Sequence, residues 1–330
     1  MEPPRRQESI FVKLPNWMGD ILFSYDLLYS LSSHFERLGL CVSTQHEELF
    51  SIFPIPKAEV ISYPPGSWPD WDPETIHKIE DFGADVGLVL PNSIGAALAV
   101  RWAGVSPLYG YDAEHRGFLL TKRLKVPNHR LHQTDYYLEL LKLFDIQPQS
   151  YPGAIESTAR EKLVIIHPGA SKMERAWHLG RFVEVAQQLR EQGLDVIFVH
   201  GEAIKIADFQ VLTQPSLKEF AGLLRKCAIF IGNDSGPLHL AQQCGASVIG
   251  IYGPGDPNVT GLRSISRGEV VYHSFPCSPC RQSYFEECSP SPNGKPFCIE
   301  TITVGEVWKS VEKILKDGSY APSFRNENEN

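Results

Sequence analysis

Residue types able to do chemistry gather in three short segments, each directly after an apolar run. The first, Pro15-Asn16-Trp17-Met18-Gly19-Asp20, ends in a carboxylate. Gly19 permits close backbone approach, and Asp20 stands where the next helix begins. A carboxylate there either caps the helix by accepting from its orphan N–H groups or takes a proton from a substrate hydroxyl. The second is His167-Pro168-Gly169-Ala170-Ser171, followed by Lys172, Arg175 and Trp177. A small-residue turn with two cations suits phosphate oxygens, because amides approach closely and arginine offers a fork of donors. The same residues also suit an ordinary loop with solvated cations.

The third segment, Gly232-Asn233-Asp234-Ser235-Gly236-Pro237-Leu238-His239, is the most specific. Pro237 fits the first position of a helix, with Gly236 or Ser235 as its cap. The exposed amides of such a helix attract anions. His239 falls in the first turn, where the helix dipole favours the neutral ring. Neither G-x-G-x-x-G after a strand nor G-x-x-x-x-G-K-[ST] occurs, which removes the main support for a dehydrogenase or a P-loop NTPase.

These segments need strands and helices to aim them, and the pattern supplies both. Ser9–Leu14 and Ala84–Leu90 read as buried strands, followed by helices over Ile21–Phe35 and Ile94–Trp102, with a Pro-rich loop at Tyr63–Pro73. The pattern breaks at Pro148–Ile155 and then restarts. Strands are expected at Leu163–His167, Asp195–His200, Ile229–Gly232 and Ser247–Tyr252, alternating with helices at Gly180–Gln192, Leu217–Lys226 and Pro237–Gly245. Alternation of this kind implies parallel sheets with crossover helices. Two such runs predict an α/β chain of two Rossmann-like doubly wound domains, 1–152 and 153–318, with a disordered tail over 319–330. Ligands then bind beyond the carboxyl ends of the strands.

Composition bounds the function. The 330 residues suit two domains. The formal net charge of −8 argues against a nucleic-acid partner. No apolar run approaches the roughly 18 residues of a membrane span, and the first residues carry no signal-peptide core, so the expected location is cytoplasmic. Cys41, Cys227 and Cys244 read as small buried hydrophobes. Cys277, Cys280, Cys288 and Cys298 form a separate cluster. A structural zinc ion is one reading of those four; free thiols in a folded loop is the other.

Taken in order, PNWMGD (Pro15–Asp20), LPNS (Leu90–Ser93), RGFLLT (Arg116–Thr121), HQTDYYLELL (His132–Leu141), HPGA (His167–Ala170), NDSGPLHLA (Asn233–Ala241) and YGPGDP (Tyr252–Pro257) resemble glycosyltransferase family 9. Family 9 comprises the ADP-heptose:lipopolysaccharide heptosyltransferases, and the similarity is greatest to its heptosyltransferase II branch. The resemblance implies an inverting, metal-independent transferase of GT-B architecture, its two domains facing across a cleft, with no cofactor in the chemistry. It makes Asp20 the catalytic base. Gly19, Gly169, Ala170, Lys172, Arg175, Asp234, Ser235, Gly236 and His239 become donor-binding candidates, and Glu202 the acid that holds the donor ribose. Where the family usually carries a lysine, this chain has Arg175.

His115–His132 contains Arg116, Lys122, Arg123, Lys125, His129 and Arg130, a positive stretch in an acidic chain. It reads either as a solvated face or as a site for an anionic, lipid-linked acceptor of the Kdo–lipid A type. The latter makes Arg116, Lys122, Arg123 and Lys125 acceptor-binding candidates and brings the protein to the inner face of the inner membrane.

Overall fold

The computed structural model describes residues 7–66, 71–153, 162–263 and 267–316; the expected tail over 319–330 lies outside them. The chain divides into two units, Met1–Gly153 and Ala154–Asn330.

In the first unit the strands are β1 (Ser9–Lys13), β2 (Arg37–Ser43), β3 (Ala58–Tyr63), β4 (Val86–Val89), β5 (Leu108–Asp112) and β6 (Lys122–Lys125). All pair in parallel, in the order β3-β2-β1-β4-β5-β6. Central β1 is buried along its whole length, which is why it reads as a nearly unbroken apolar run. The helices are α1 (Met18–Phe23), α2 (Tyr25–His34), α3 (Leu49–Ile52), α4 (Pro73–Phe82), α5 (Ile94–Trp102) and α6 (Gln133–Leu138). Phe11, Ile61, Phe82, Val89, Val100 and Leu108 form part of the core where α4 and α5 cover the sheet.

The single helix expected over Ile21–Phe35 is two. The chain breaks at Ser24, whose Oγ donates to the Ile21 carbonyl at 2.7 Å. A serine hydroxyl bonded back to its own helix competes with the backbone ladder. The first helix also starts three residues early, at Met18, which carries Asp20 inside its first turn.

The second unit holds β7 (Leu163–His167), β8 (Asp195–His200), β9 (Gln210–Thr213), β10 (Ile229–Asn233), β11 (Ser247–Tyr252) and β12 (Gly268–Tyr272). Their order is β12-β11-β10-β7-β8-β9, again all parallel. Its helices are α7 (Leu179–Glu191), α8 (Leu217–Lys226), α9 (Gly236–Gln243), α10 (Pro257–Thr260), α11 (Phe297–Glu300) and α12 (Val304–Lys316). Val164, Phe182, Val185, Ile231, Ile249, Val307 and Val311 belong to the core under α7 and α12.

Counted from its own first strand, each sheet runs 3-2-1-4-5-6, the Rossmann order. The order reverses between β1 and β4 in one unit and between β7 and β10 in the other. Ligands bind at such switch points, beyond the carboxyl ends of the strands. PNWMGD and LPNS follow β1 and β4; HPGA and NDSG follow β7 and β10.

Candidate active site

In the first unit the loop after β1 is anchored from below by a lysine. Lys13 is fully buried, and its Nζ donates to the Leu14 carbonyl at 2.5 Å, to Asn16 Oδ1 at 3.2 Å and toward the Tyr63 hydroxyl at 3.1 Å. The Tyr63 hydroxyl donates in turn to Asn16 Oδ1. Burial lowers the Lys13 pKa to about 8, opposed by the Cys41 thiol beside it. Asp20 lies at the third position of α1 and is half-buried. The residue at the cap position is Trp17, which makes no side-chain cap bond, so Asp20 is not the cap. Its charge is felt by buried Tyr137 on α6, whose phenol is raised well above its ordinary range by burial first and by Asp20 second.

Three motifs of this unit meet around Asn92. The Asn92 Nδ2 donates to the Tyr136 hydroxyl at 2.8 Å, and Tyr136 stacks on Tyr111 with ring centres 4.3 Å apart. Arg116 is the correction here. It is entirely buried and donates to the backbone carbonyls of Tyr111, Pro91 and Ser93. It therefore ties the LPNS loop to β5 and is not part of an exposed positive patch. The rest of that patch is exposed but partly engaged. Lys122 lies over the Tyr109 ring and donates to the Leu143 carbonyl, Arg123 pairs with Asp112 at 3.4 Å, and Lys125 is exposed.

In the second unit Asn233, at the end of β10, clasps two loops. Its Nδ2 donates to the Pro168 and Gly169 carbonyls at 2.8 and 3.2 Å, and its Oδ1 accepts from the Trp177 amide at 2.9 Å. The next residue, Asp234, is buried, and Arg175 Nη2 donates to its Oδ2 at 2.5 Å and to its carbonyl at 2.9 Å. Thr260 Oγ1 donates to Asp234 Oδ1 at 3.2 Å, and His239 Nε2 lies 3.6 Å away. Burial pushes the Asp234 pKa up, but His239 and the Arg175 charge outweigh it, and the carboxyl is held below its ordinary range. Gly255 of YGPGDP is required for this packing, since a Cβ there would fall 2.1 Å from Asp234 Oδ2. Asp234 thus orients the cation rather than meeting a ligand through a free carboxylate.

Helix α9 begins at Gly236 after Ser235, so Pro237 takes its second position rather than its first. The Ser235 hydroxyl donates to the Asn233 carbonyl at 3.1 Å and leaves the first amides of α9 uncapped by its side chain. Gly169 and Ala170 are half-buried beside this end. His167 lies under Gly169, where a Cβ would come within 2.9 Å of the ring. Burial, and then neighbouring His200, lower the His167 pKa to about 4. Glu202 is exposed; its amide donates to His200 Nδ1 at 2.9 Å. Lys172 is exposed, with its Nζ 4.9 Å above the Tyr284 ring.

Tyr284 belongs to the cysteine segment, which folds onto the Arg175 loop. Lys295 Nζ reaches back to the Met173 and Ala176 carbonyls at 2.8 and 2.7 Å. Cys298 is buried and Cys277, Cys280 and Cys288 half-buried, all as thiols. Burial and then the three neighbouring sulfurs push Cys298 up to about 12. The four are neighbours, yet among the described residues no three His, Cys, Asp or Glu side chains converge as a metal-holding group. The residues present do not form a ready zinc site.

A profile of glycosyltransferase family 9 (heptosyltransferase) matches residues 74–288, well over half the chain. The chain belongs to glycosyltransferase family 9. It is 23% identical to the lipooligosaccharide heptosyltransferase 2 of Campylobacter jejuni, over 94% of this chain and 99% of that one. Its fold is that of a family 9 glycosyl transferase from Veillonella parvula, with TM-score 0.79 and 18% identity over 94% and 98% of the two chains. The Escherichia coli ADP-heptose LPS heptosyltransferase II superposes with TM-score 0.74 and 21% identity over 94% and 99%. The paired Rossmann-like units are those of the GT-B class, and the protein is a glycosyltransferase.

Two residues that organise the family 9 site here are missing from the sequence-based candidates. Asn233 sits inside the NDSG motif, and its amide, able to donate and accept at once, was the available signal. Lys13 also left a signal, being the one charge in a strand that is otherwise a serine and three apolar residues.

Proposed function

We propose that this transferase moves a heptosyl group from an ADP-linked donor to an anionic, lipid-linked inner-core acceptor of the Kdo–lipid A type. The reaction is a single displacement with inversion, needing no metal ion or other cofactor in the chemical step. It takes place in the cytoplasm at the inner face of the inner membrane, where a water-soluble nucleotide sugar and a lipid-linked acceptor meet.

The observation that carries this reading is Arg175 held by Asp234 beside the open amino end of α9. Among the described residues only its Nη2 is engaged, leaving Nε and Nη1 for diphosphate oxygens. As the bond from the anomeric carbon to the diphosphate breaks, negative charge grows on the leaving oxygen. The guanidinium and the amides at Ser235–Gly236 stabilise it in place of a divalent cation. Lys172 adds charge, while Gly169 and Ala170 let the backbone approach. Exposed Glu202 takes a hydroxyl of the donor ribose. The acceptor oxygen forms the new glycosidic bond as its proton passes to Asp20. Lys122, Arg123 and Lys125 are the cations left for acceptor phosphates or carboxylates once Arg116 is set aside.

The test combines purified protein, ADP-heptose and Kdo-containing acceptors, with products read by mass spectrometry and anomeric configuration by NMR. Transfer should persist in EDTA. Asp20→Asn should lower the rate at least about a hundredfold, the scale of a general base, with ADP affinity unchanged. A folded Asp20→Asn protein with wild-type turnover would remove Asp20 from the chemistry. Transfer from a different nucleotide sugar only would reassign the donor, and tight ADP binding without any transfer would make the chain a sugar-nucleotide-binding protein.

A further inference from the structure

Helix α5 is apolar on its outward face as well as its buried one. Its buried positions are Ala96, Ala97, Ala99 and Val100, packed toward the sheet. Its outward stripe, at a spacing of four, is Ile94, Leu98 and Trp102, exposed by 37, 45 and 82%. Residues four apart stack on one helix face, so this stripe is continuous. The one-turn helix Arg116–Leu119 packs against α5 and adds Phe118, 75% exposed. Solvent-facing helix stripes of globular proteins are normally polar. A contiguous exposed apolar area of this kind marks an interaction surface.

The rim is cationic. Arg101 borders Trp102 on the same helix and is exposed. Arg123 lies across Gly117, where a Cβ would meet its Nη1 at 2.1 Å, which places the guanidinium next to Phe118. Lys125, two residues further along β6, points to the same side of the sheet. The acids nearby are Asp112, paired with Arg123, and Glu114, whose Oε2 accepts from the Ile94 amide. Three cations and two acids thus border the apolar stripe, and Arg101 and Lys125 leave it a small positive excess in a chain whose net charge is −8.

We infer that α5 and residues 116–119 form the face on which the protein docks to an anionic lipid bilayer, with Trp102 and Phe118 entering the interface. Indole rings favour the headgroup level, a phenyl ring enters the apolar boundary below it, and basic side chains beside them add attraction to acidic lipid. A second copy of the chain is a poorer occupant, because a two-fold contact would bring the same cationic rim onto itself. The inference deepens the lipid-linked acceptor reading, since docking would bring the enzyme to the surface that holds the acceptor.

The experiment sediments the full chain with phosphatidylcholine vesicles, with and without 30% phosphatidylglycerol, at about 0.15 M salt, where screening shortens electrostatic reach to about 8 Å. Binding should require the anionic lipid. Trp102→Ser with Phe118→Ser should lower partitioning at least tenfold at unchanged melting temperature, and Arg123→Gln with Lys125→Gln should weaken the preference for phosphatidylglycerol. With a deacylated, water-soluble acceptor the aromatic double variant should turn over like wild type, whereas with vesicle-embedded acceptor it should lag. Wild-type binding by the double variant would overturn the inference. So would a wild type that ignores both vesicles, or a dimer in ultracentrifugation that the same substitutions dissolve. Failure of both proteins on the soluble acceptor would count against the transferase reading alone, because vesicle binding is read without turnover.

Discussion

Asp234 and Arg175 stand 59 positions apart, yet they meet at 2.5 Å in the site proposed for the nucleotide. Their side chains are 5 and 20% exposed, so the carboxylate is dry while the guanidinium keeps some water. Asp234→Asn would leave Arg175 facing an amide able to donate, and the cation would swing from its place. Removing one partner of a buried pair costs about 3–5 kcal/mol, and the water left to Arg175 places this case at the low end, about 3. Calorimetry should show ADP affinity falling at least tenfold, and urea unfolding should show the stability loss at pH 7. Because the folded-state pKa of Asp234 lies below its ordinary value, the carboxylate stabilises the fold above about pH 4 and loses that advantage as pH falls further. The stability gap between wild type and variant should close on acidification. Sequence reading found both residues but not their partnership, because pairing over this separation is a product of the sheet. Arg116 failed in the opposite direction. A run of basic residues reads as surface, and three backbone carbonyls gathered by folding are invisible in a charge count.

Burial decided the legibility of elements only in part, for β2 and β5 are almost wholly buried and were not anticipated. Central strands β1, β7 and β10 are apolar runs, and their positions follow from the residues alone. Edge strands β6, with the sequence Lys-Arg-Leu-Lys, and β9 have mostly exposed or half-buried side chains, and neither alternation nor apolar content announces them. The junction of β1 with α1 was only half legible: the motif was visible, its support was not. Lys13 holds that junction through Asn16 and Tyr63. Its folded pKa of about 8 lies below the 10.5 of an ordinary lysine. The unfolded chain therefore binds more protons between those values, and stability rises with pH across that window. Lys13→Met keeps the volume and removes the titration. Urea unfolding at pH 7.5 and pH 10 should show a smaller rise for the variant than for wild type. The variant should also turn over more slowly at both values, because Asn16 loses a donor beneath the loop that leads to Asp20.

On the scale of the whole chain, the two units repeat one strand order and place their motifs at the same point of it. That correspondence was readable as two successive alternations of strand and helix. The fold-back of the cysteine segment was not, for its glue is a lysine donating to two carbonyls and a ring under an ammonium. Such contacts leave no periodic trace. Arg281 lies in that segment, its side chain 81% exposed, three residues before Tyr284. Whatever steadies Lys172 and Arg175 also steadies the peptide around Arg281. Bound ADP should therefore slow tryptic cleavage after Arg281 several-fold without altering cleavage in the first unit, and Tyr284→Ala should abolish that protection. A protease sampling the surface of an apparently remote loop would then report, in gel bands, whether the nucleotide site is full.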